Sequence, residues 1–290
     1  MSSDRGRDHN AYRATRRRAQ HPSWVIARTD LKQLVQARDF WMPLSVVALL
    51  FFVVIPAFLL FVVGSVKNNE LATKLSDVVG SLPKDLQAKV HGSKGTAGAS
   101  YALAVYLFAP LAIIVPLTVS SAVGAHTIIG ERERGSGEFL AHSPATERQI
   151  YLGKLMASLI PGYFTAAMGF LCYSLVVNLI VGPRVGGWFV PTTNWWVLVC
   201  WVLPPFIALA LAVILAISAR VSSAAAAQQA SALATLPLII IAYGVSSNTL
   251  FRGLGLAFLI GGLAWLGALF ALWRASKAVS RERLLGMGAS

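Results

Sequence analysis

Hydrophobic residues lie in long runs along this chain, and short polar segments separate one run from the next. A helix needs roughly 20 residues to cross the hydrocarbon core of a bilayer, and all the runs are about that long except the fifth, which is short. The pattern therefore predicts six membrane-spanning helices, at 42–66, 101–125, 155–181, 195–218, 230–245 and 253–273. The predicted fold class is an all-α polytopic membrane protein, and prolines in the first five helices predict bends.

The chain before the first run divides into two parts. Residues 1–22 are basic and almost free of apolar side chains, which predicts a disordered cytoplasmic arm. In 23–41, apolar residues recur at helical spacing, and Ser23 stands at the predicted N-cap. We expect an amphipathic helix that lies flat at the membrane interface. Its apolar stripe is Trp24, Ala27, Leu31, Leu34 and Val35, and its polar side is Asp30, Lys32, Gln33 and Gln36.

Other segments complete the predicted architecture. The polar stretch 67–100 contains an apolar stripe, which predicts a short helix on the outer surface. Pro161 predicts an interruption of the third helix. Trp195 and Trp196 predict an aromatic belt at the membrane surface. The basic segment 274–290 is expected to form a cytoplasmic tail.

Composition and charge give the chain an orientation. Its 290 residues are 56% hydrophobic and 13% charged, whereas soluble domains are about 25% charged. The formal net charge is +13, and 18 of the 25 Lys and Arg residues fall on the same side as both ends of a six-helix chain. Because positively charged loops of membrane proteins face the cytoplasm, both termini and the segment 130–154 are expected there. This membrane explanation accounts for the basic excess, so nucleic acid is not predicted as a partner.

The sequence lacks the residues that an independent energy source or active site would need. The six predicted spans contain no Asp, Glu, Lys or Arg, although ion-driven transporters usually carry an ionisable residue at membrane depth. The phosphate-binding pattern G-x-x-x-x-G-K-[ST] is absent. Cys172 and Cys200 lie in apolar runs and the histidines are scattered singly, so neither a disulfide nor a metal site is predicted. Any uphill transport must therefore draw its energy from another chain.

The densest block of charge between the hydrophobic runs is 130–154. Its glycines permit a sharp reversal of the chain, and charges of both signs surround two apolar residues, Phe139 and Leu140. One interpretation is an ordinary solvated loop. The two apolar side chains favour the other interpretation, a docking element for a protein partner.

This block resembles the signature loop of ABC-2-type transporter permeases. In that family an acidic pair precedes Gly-Thr, Glu and Leu-Leu, and Ser/Thr-Pro and Gly-Lys follow. Two other stretches are similar to the family: 27–39 to its N-terminal connecting helix, and 281–285 to its C-terminal ending. Gly137, Phe139 and His142 depart from the usual residues. The matching positions in the loop are Glu131, Glu133, Arg134, Gly135, Ser136, Glu138, Leu140, Ser143, Pro144, Gly153 and Lys154.

The resemblance implies a six-helix permease domain, 23–273, that dimerises with a second copy or a paralogue. A separate cytoplasmic ABC ATPase subunit would drive it and would bind ATP and Mg, so this chain would hold no cofactor and would not be an enzyme. The loop would act as the coupling helix. The residues expected to dock the ATPase are Glu131, Glu133, Arg134, Gly135, Glu138, Phe139, Leu140 and Pro144.

The resemblance also implies that the second and fifth spans face the dimer axis, where cargo would pass. Hydroxyl groups there can bond to a passing ligand or back to their own helix. No charged residue accompanies them, so the expected cargo is amphipathic or hydrophobic. The residues expected along this pathway are Thr118, Ser121, Thr235 and Tyr243.

The leading hypothesis is thus an ABC exporter permease in the plasma or inner membrane, with lipids around it. A membrane scaffold or assembly factor that docks a cytoplasmic partner without transport is the alternative. An uncoupled channel or facilitator is a third hypothesis. ATP turnover that depends on the loop would distinguish the first from the other two.

Overall fold

The computed structural model describes residues 21–65, 77, 96–133, 144–218, 226, 229–233, 235–237, 239–241, 243–244 and 254–278. Within these ranges, all the secondary-structure elements are helices. The helices are α1 (Pro22–Gln36), α2 (Arg38–Leu49), α3 (Ile55–Ser65), α4 (Thr96–Ala102), α5 (Leu111–Glu133), α6 (Glu147–Val185), α7 (Thr193–Val197), α8 (Leu203–Ser218) and α9 (Leu254–Ala278). Three π-helical turns, Leu50–Val54, Leu103–Leu107 and Leu198–Val202, join successive helices into longer rods.

Five of these rods are long and apolar enough to cross a membrane. We call them the first, second, third, fourth and last spans: Trp41–Ser65, Thr96–Thr127, Glu147–Val185, Thr193–Ile217 and Leu254–Ser276. The sixth predicted span, 230–245, corresponds to a shorter apolar helix, Gln229–Ile241. The structure therefore contains five of the predicted spans in full length, and the sixth stays a prediction.

Prolines shape three of the spans through the π-helical turns. A proline lacks the backbone N–H and its ring collides with the carbonyl four residues earlier, so the preceding turn widens. Each π turn ends two or three residues before a proline. The pairs are Leu50–Val54 with Pro56, Leu103–Leu107 with Pro110, and Leu198–Val202 with Pro204. The third span behaves differently: α6 continues through Pro161 without a break, so the predicted interruption was wrong.

The second span lies at the centre of the bundle. In its most apolar window, 78% of the residues are buried, against 17% for the last span and 22% for the first. The helix α6 packs most extensively against α5 and α1, and α8 packs against both α5 and α9. The first and last spans therefore present long apolar faces to the outside of the subunit.

Trp195 departs from its predicted place in an aromatic belt. Its ring is fully buried and stacks on Phe170 and Tyr173. Its Nε1–H donates to the carbonyl oxygen of Val105 at 3.0 Å, which satisfies the polar end of the indole inside the bundle. Trp196 is half exposed, and its position in an aromatic belt stays a prediction.

The N-terminal helix α1 also differs from its prediction. It begins at Pro22, so Ser23 lies within the first turn and is buried, and it ends at Gln36 instead of continuing into the first span. Trp24 and Val35 of the predicted apolar stripe are exposed. The helix α1 packs against α6, and its buried residues are Ser23, Ala27, Asp30 and Leu34. Three of the four are small or polar, and Leu34 packs with Val119 and Val123 of α5.

Three segment boundaries in the structure differ from the predicted ones. Residues 96–100, predicted to belong to the polar outer segment 67–100, begin the second span, and Gly98, Ala99 and Ser100 are buried. The helix α9 extends past residue 273 to Ala278. The helical start at Pro22 shortens the predicted arm 1–22. Residues 1–20, most of 66–95, and 279–290 lie outside the described residues, so those parts of the three predictions stay predictions.

The buried side chain of Asn178 fastens the turn that follows α6. Its Oδ1 accepts hydrogen bonds from the backbone N–H groups of Phe189, at 2.9 Å, and Val190, at 3.2 Å. Its Nδ2 donates to the carbonyl oxygens of Ser174 and Val190. The helix itself closes at Gly186, whose φ of 97° suits glycine.

Candidate functional site

The predicted docking loop connects the end of α5 to the start of α6. Glu131 and Glu133 belong to the last turn of α5, although their side chains lie outside the described residues. Pro144 is exposed just before α6. The other predicted docking residues, Arg134, Gly135, Glu138, Phe139 and Leu140, lie outside the described residues.

A capping box fixes the point where the chain enters α6. The hydroxyl of Thr146 accepts a hydrogen bond from the backbone N–H of Gln149 at 3.3 Å. In return, Oε1 of Gln149 accepts from the backbone N–H of Thr146 at 2.9 Å. The sequence Thr146-Glu147-Arg148-Gln149 has the Thr-x-x-Gln signature of a capping box, and this helix start was not among the predictions. The loop is therefore anchored to a defined first turn of the third span.

Two turns into α6, Gly153 allows α1 to approach closely. A Cβ atom at this position would lie 2.8 Å from Cβ of Ile26 and 2.9 Å from the carbonyl oxygen of Ser23. Real Cβ atoms do not approach their neighbours so closely, so any larger residue would push α1 away. The glycine thus places α1 against the base of the loop.

The next residue, Lys154, is fully buried although the sequence placed it in a charged loop. Its Nζ donates to the carbonyl oxygen of Thr127 in α5 at 3.2 Å. Ser158 donates to the carbonyl oxygen of Lys154 at 2.9 Å, and its hydroxyl lies 3.3 Å from that of Thr127. These bonds join α5 and α6 where they flank the loop.

Asp30 of α1 is also buried close to this point. It lines a small cavity of about 10 Å³ with Gln33, Leu34, His126 and Thr127. The cavity therefore lies between α1 and the end of α5. Within the described residues no group of three His, Cys, Asp or Glu residues could hold a metal ion. The polar layer at this end of the bundle is built from Asp30, His126, Thr127, Lys154 and Ser158.

The predicted pathway residues divide into a buried pair and two exposed residues. Ser121 and Thr235 are buried, and their hydroxyl oxygens lie 3.0 Å apart. Thr118 is exposed on α5 and donates to the carbonyl oxygen of Ile114. Tyr243 is exposed beyond the short helix. The hydroxyls of Thr118, Ser121 and Thr235 all bond back to their own helices, which was one of the two alternatives left open.

Sequence reasoning missed the buried charges for a physical reason. Asp30 was placed on the polar side of an interfacial amphipathic helix, opposite the apolar stripe expected to face the membrane. Lys154 was counted with the charged loop, because it directly follows the flexible part of the chain. Neither residue carries a sequence signal for burial, since their burial depends on how α1 docks onto α6.

These features define a multi-pass α-helical membrane protein in which a polar loop joins the most buried span to the longest one. A family model described as "ABC-2 family transporter protein" matches residues 24–261. The chain therefore belongs to the ABC-2 transporter family, which confirms the resemblance stated above. Permeases of this family are membrane components that associate with an ABC ATPase and are not ATPases themselves. No curated protein sequence matches the chain significantly.

Proposed function

We propose that this chain is the transmembrane permease subunit of an ABC exporter, which moves an amphipathic or hydrophobic cargo with ATP hydrolysed by a separate subunit. The observation that carries the proposal is the family match over 24–261 together with the anchoring of the loop. The loop leaves from the most buried span and re-enters through a capping box. A force applied to the loop would thus reach the core of the bundle directly.

In this proposal the loop that connects α5 to α6 lies in the cytoplasm, and the ATPase docks on Glu131, Glu133, Arg134, Gly135, Glu138, Phe139, Leu140 and Pro144. ATP binding would close two ATPase subunits and move the loop of each permease. The termini would lie on the same side, as the distribution of Lys and Arg predicts. ATP and Mg would stay on the partner subunit.

The cargo pathway would follow the faces of the second span and the short helix Gln229–Ile241. Thr118 and Tyr243 are exposed on the single subunit, so they are available to a second permease copy or to cargo between two copies. The second span, Thr96–Thr127, contains no charged residue, and an ionic cargo there would cross without a counter-charge. This supports a hydrophobic or amphipathic cargo.

The outer surface of the subunit is apolar, as expected for contact with lipid or with a second permease copy. The first and third spans enclose an apolar groove of about 980 Å³, with Arg38 at the end nearest α1 and Phe52, Phe164 and Met168 farther along. Inside a bilayer, lipid chains or another protein must cover such a surface. We propose a permease dimer surrounded by lipid in the plasma or inner membrane.

The decisive experiment is to co-purify the chain with its ATPase subunit and measure ATP turnover in vesicles. Glu138→Arg and Leu140→Arg should abolish loop-dependent ATP turnover while membrane insertion stays normal, because each puts a cation in the docking element. Arg148→Met, an exposed residue of α6 outside the docking set, is the matched control. Unchanged turnover in both loop variants would favour the scaffold hypothesis instead.

A further inference from the structure

The groove between the first and third spans forms where these two spans separate. Beyond the π turn Leu50–Val54, α3 packs along α6. At that turn Phe52 is buried so close to Gly169 that a Cβ atom on the glycine would lie 2.4 Å from the ring. Before the turn, α2 makes few contacts with α6. The first span therefore diverges from α6 on the side of α1, and the groove of about 980 Å³ opens between them.

Apolar side chains line this groove and are partly open to the membrane. Val46 and Leu49 line it from α2, and Phe164 and Met168 line it from α6. Each of these four residues is between 45% and 63% exposed. Water does not fill an apolar hollow, so hydrocarbon or the apolar surface of another chain must fill this one.

The length of the groove corresponds to one leaflet of a bilayer. Its apolar wall on the first span runs from Met42 to Val53, about 17 Å at 1.5 Å per residue. The hydrocarbon core of a bilayer is about 30 Å thick, so one leaflet contributes about 15 Å. A transmembrane helix of a second subunit would cross both leaflets, whereas a lipid chain occupies one. The groove therefore matches a lipid chain better than a helix.

A cation marks the end of the groove where a headgroup would lie. Among the described residues that line the groove, Arg38 alone is charged, and it stands three residues before Trp41, where the first span begins. Arg28, exposed on α1, is seven residues before the lining residue Val35, so helical spacing places both on one face of α1. An arginine can hold a phosphate through two parallel hydrogen bonds, and basic sites between membrane helices bind anionic headgroups.

We infer that this groove is the binding site of one anionic phospholipid. The phosphate would lie at Arg38, and one acyl chain would run between α2 and α6 toward Phe52. The site takes a glycerophospholipid with a net negative headgroup, such as phosphatidylglycerol, in preference to a zwitterionic one. In the proposed orientation the site faces the cytoplasmic leaflet.

This inference rests on the membrane-spanning fold and not on the proposed transport cycle. The proposed cargo pathway follows the second span and the short helix Gln229–Ile241, whereas the groove lies between the first and third spans. The lipid would therefore be a resident ligand and not the cargo. It would fill the space that separates α2 from α6.

The site is tested by photo-crosslinking of the full chain in phosphatidylcholine vesicles. One set of vesicles contains a small fraction of phosphatidylglycerol with a diazirine in its acyl chain, and the other contains phosphatidylcholine with the same diazirine. Mass spectrometry of peptides then locates the label. On Val46, Leu49 and Phe164 we expect about fivefold more label from phosphatidylglycerol, the gain that one cation near a membrane surface gives. Leu263 and Leu266, exposed on the last span outside the groove, should be labelled equally by both lipids.

Two pairs of variants test the two ends of the site. Arg38→Gln should make the two lipids label the groove equally, because it removes the cation at the headgroup. Lys32→Gln, which changes an exposed cation of α1 outside the groove lining, is the matched control and should keep the preference. Met168→Trp fills the groove with a ring and should remove most of the label on Val46. Leu171→Trp, on the exposed side of the same helix outside the groove, should leave that label unchanged.

The outcomes that would overturn the site are distinct. Equal labelling of the groove by the two lipids in the unchanged protein would show ordinary lipid contact. An Arg38→Gln protein with the full preference would show that the arginine holds no headgroup. An unlabelled groove, together with cross-linking of two copies through Cys172, which lines it, would assign the groove to a second permease copy. These measurements use neither ATP nor the ATPase subunit, so failure of the proposed function would leave their results intact.

Discussion

The hydroxyl oxygens of Ser121 and Thr235 lie 3.0 Å apart and join the second span to the short helix Gln229–Ile241. Each hydroxyl also bonds to a carbonyl oxygen four residues earlier in its own helix, that of Leu117 or Ser231. Both side chains are buried, so the contact leaves no room for a larger residue. The two elements expected to line the cargo pathway therefore touch within one subunit.

The first prediction concerns this contact. Ser121→Trp or Thr235→Trp should block export of an identified cargo and leave basal ATP hydrolysis intact, because the bulky ring would separate the two helices. Ser121→Ala removes one hydroxyl bond and should cost only about 0.6 kcal/mol of stability. Leu269→Trp, on the exposed face of the last span, is the control of equal bulk. Normal export by both tryptophan variants at positions 121 and 235 would place the pathway elsewhere.

A second prediction fixes the orientation in the membrane. In a background without native thiols, Gln33→Cys should react with a membrane-impermeant thiol reagent in inside-out vesicles and not in intact cells. Gln33 is exposed on α1, which packs at the loop end of the bundle. Trp188→Cys, at the opposite end of α6, should show the reverse labelling. Labelling of position 33 from outside the cell would reverse the proposed topology.

Much of the fold could be predicted because a bilayer imposes a simple rule on sequence. A spanning helix needs a long apolar run, and the predicted runs at 42–66 and 253–273 recur closely as the first and last spans. Prolines were harder to interpret. Pro56 follows a π turn, while Pro161 lies in an unbroken helix, so the presence of a proline does not by itself decide whether a span is interrupted.

The polar layer could not be predicted in the same way. Hydrophobic periodicity assigns a helix face by its apolar residues, and it therefore placed Trp24 on the stripe facing the membrane and Asp30 on the opposite, polar side. The structure buries Asp30, since α1 packs against another helix, and the flat position of α1 at the membrane interface stays a prediction. A charge that is buried by tertiary packing leaves no periodic trace in the sequence.

The third prediction concerns the crossing of the second and third spans. A Cβ atom at Gly162 would collide with the hydroxyl and Cβ of Ser120, which is fully buried. Gly162→Ala should therefore force the two helices apart and cost about 1–3 kcal/mol, seen as a lower Tm. Gly262→Ala, in the last span, has open space around the new methyl group and should leave Tm unchanged or raise it. Equal Tm values for the two variants would contradict the close crossing.

The fourth prediction concerns the turn beyond α6. Asn178→Leu removes a buried amide that bonds to the backbone of Phe189 and Val190, and leaves those groups without their partner. We expect a loss of about 1–3 kcal/mol and faster proteolysis between 186 and 192. Cys172→Leu, exposed on the same helix, should alter neither quantity. An Asn178→Leu protein with unchanged proteolysis would show that other contacts hold the turn.

The helix α6 is long and unbroken, so it can act as a rigid lever. Its 39 residues extend about 58 Å at 1.5 Å per residue, nearly twice the thickness of the apolar part of a bilayer. If such a rod pivots near its middle by about 5°, each end travels about 2.5 Å, in opposite directions. The capped start at Thr146 and the Asn178-fastened turn at Gly186 are those two ends. A small tilt at one membrane surface would therefore appear at the other as an equal and opposite displacement, with no helix having to bend.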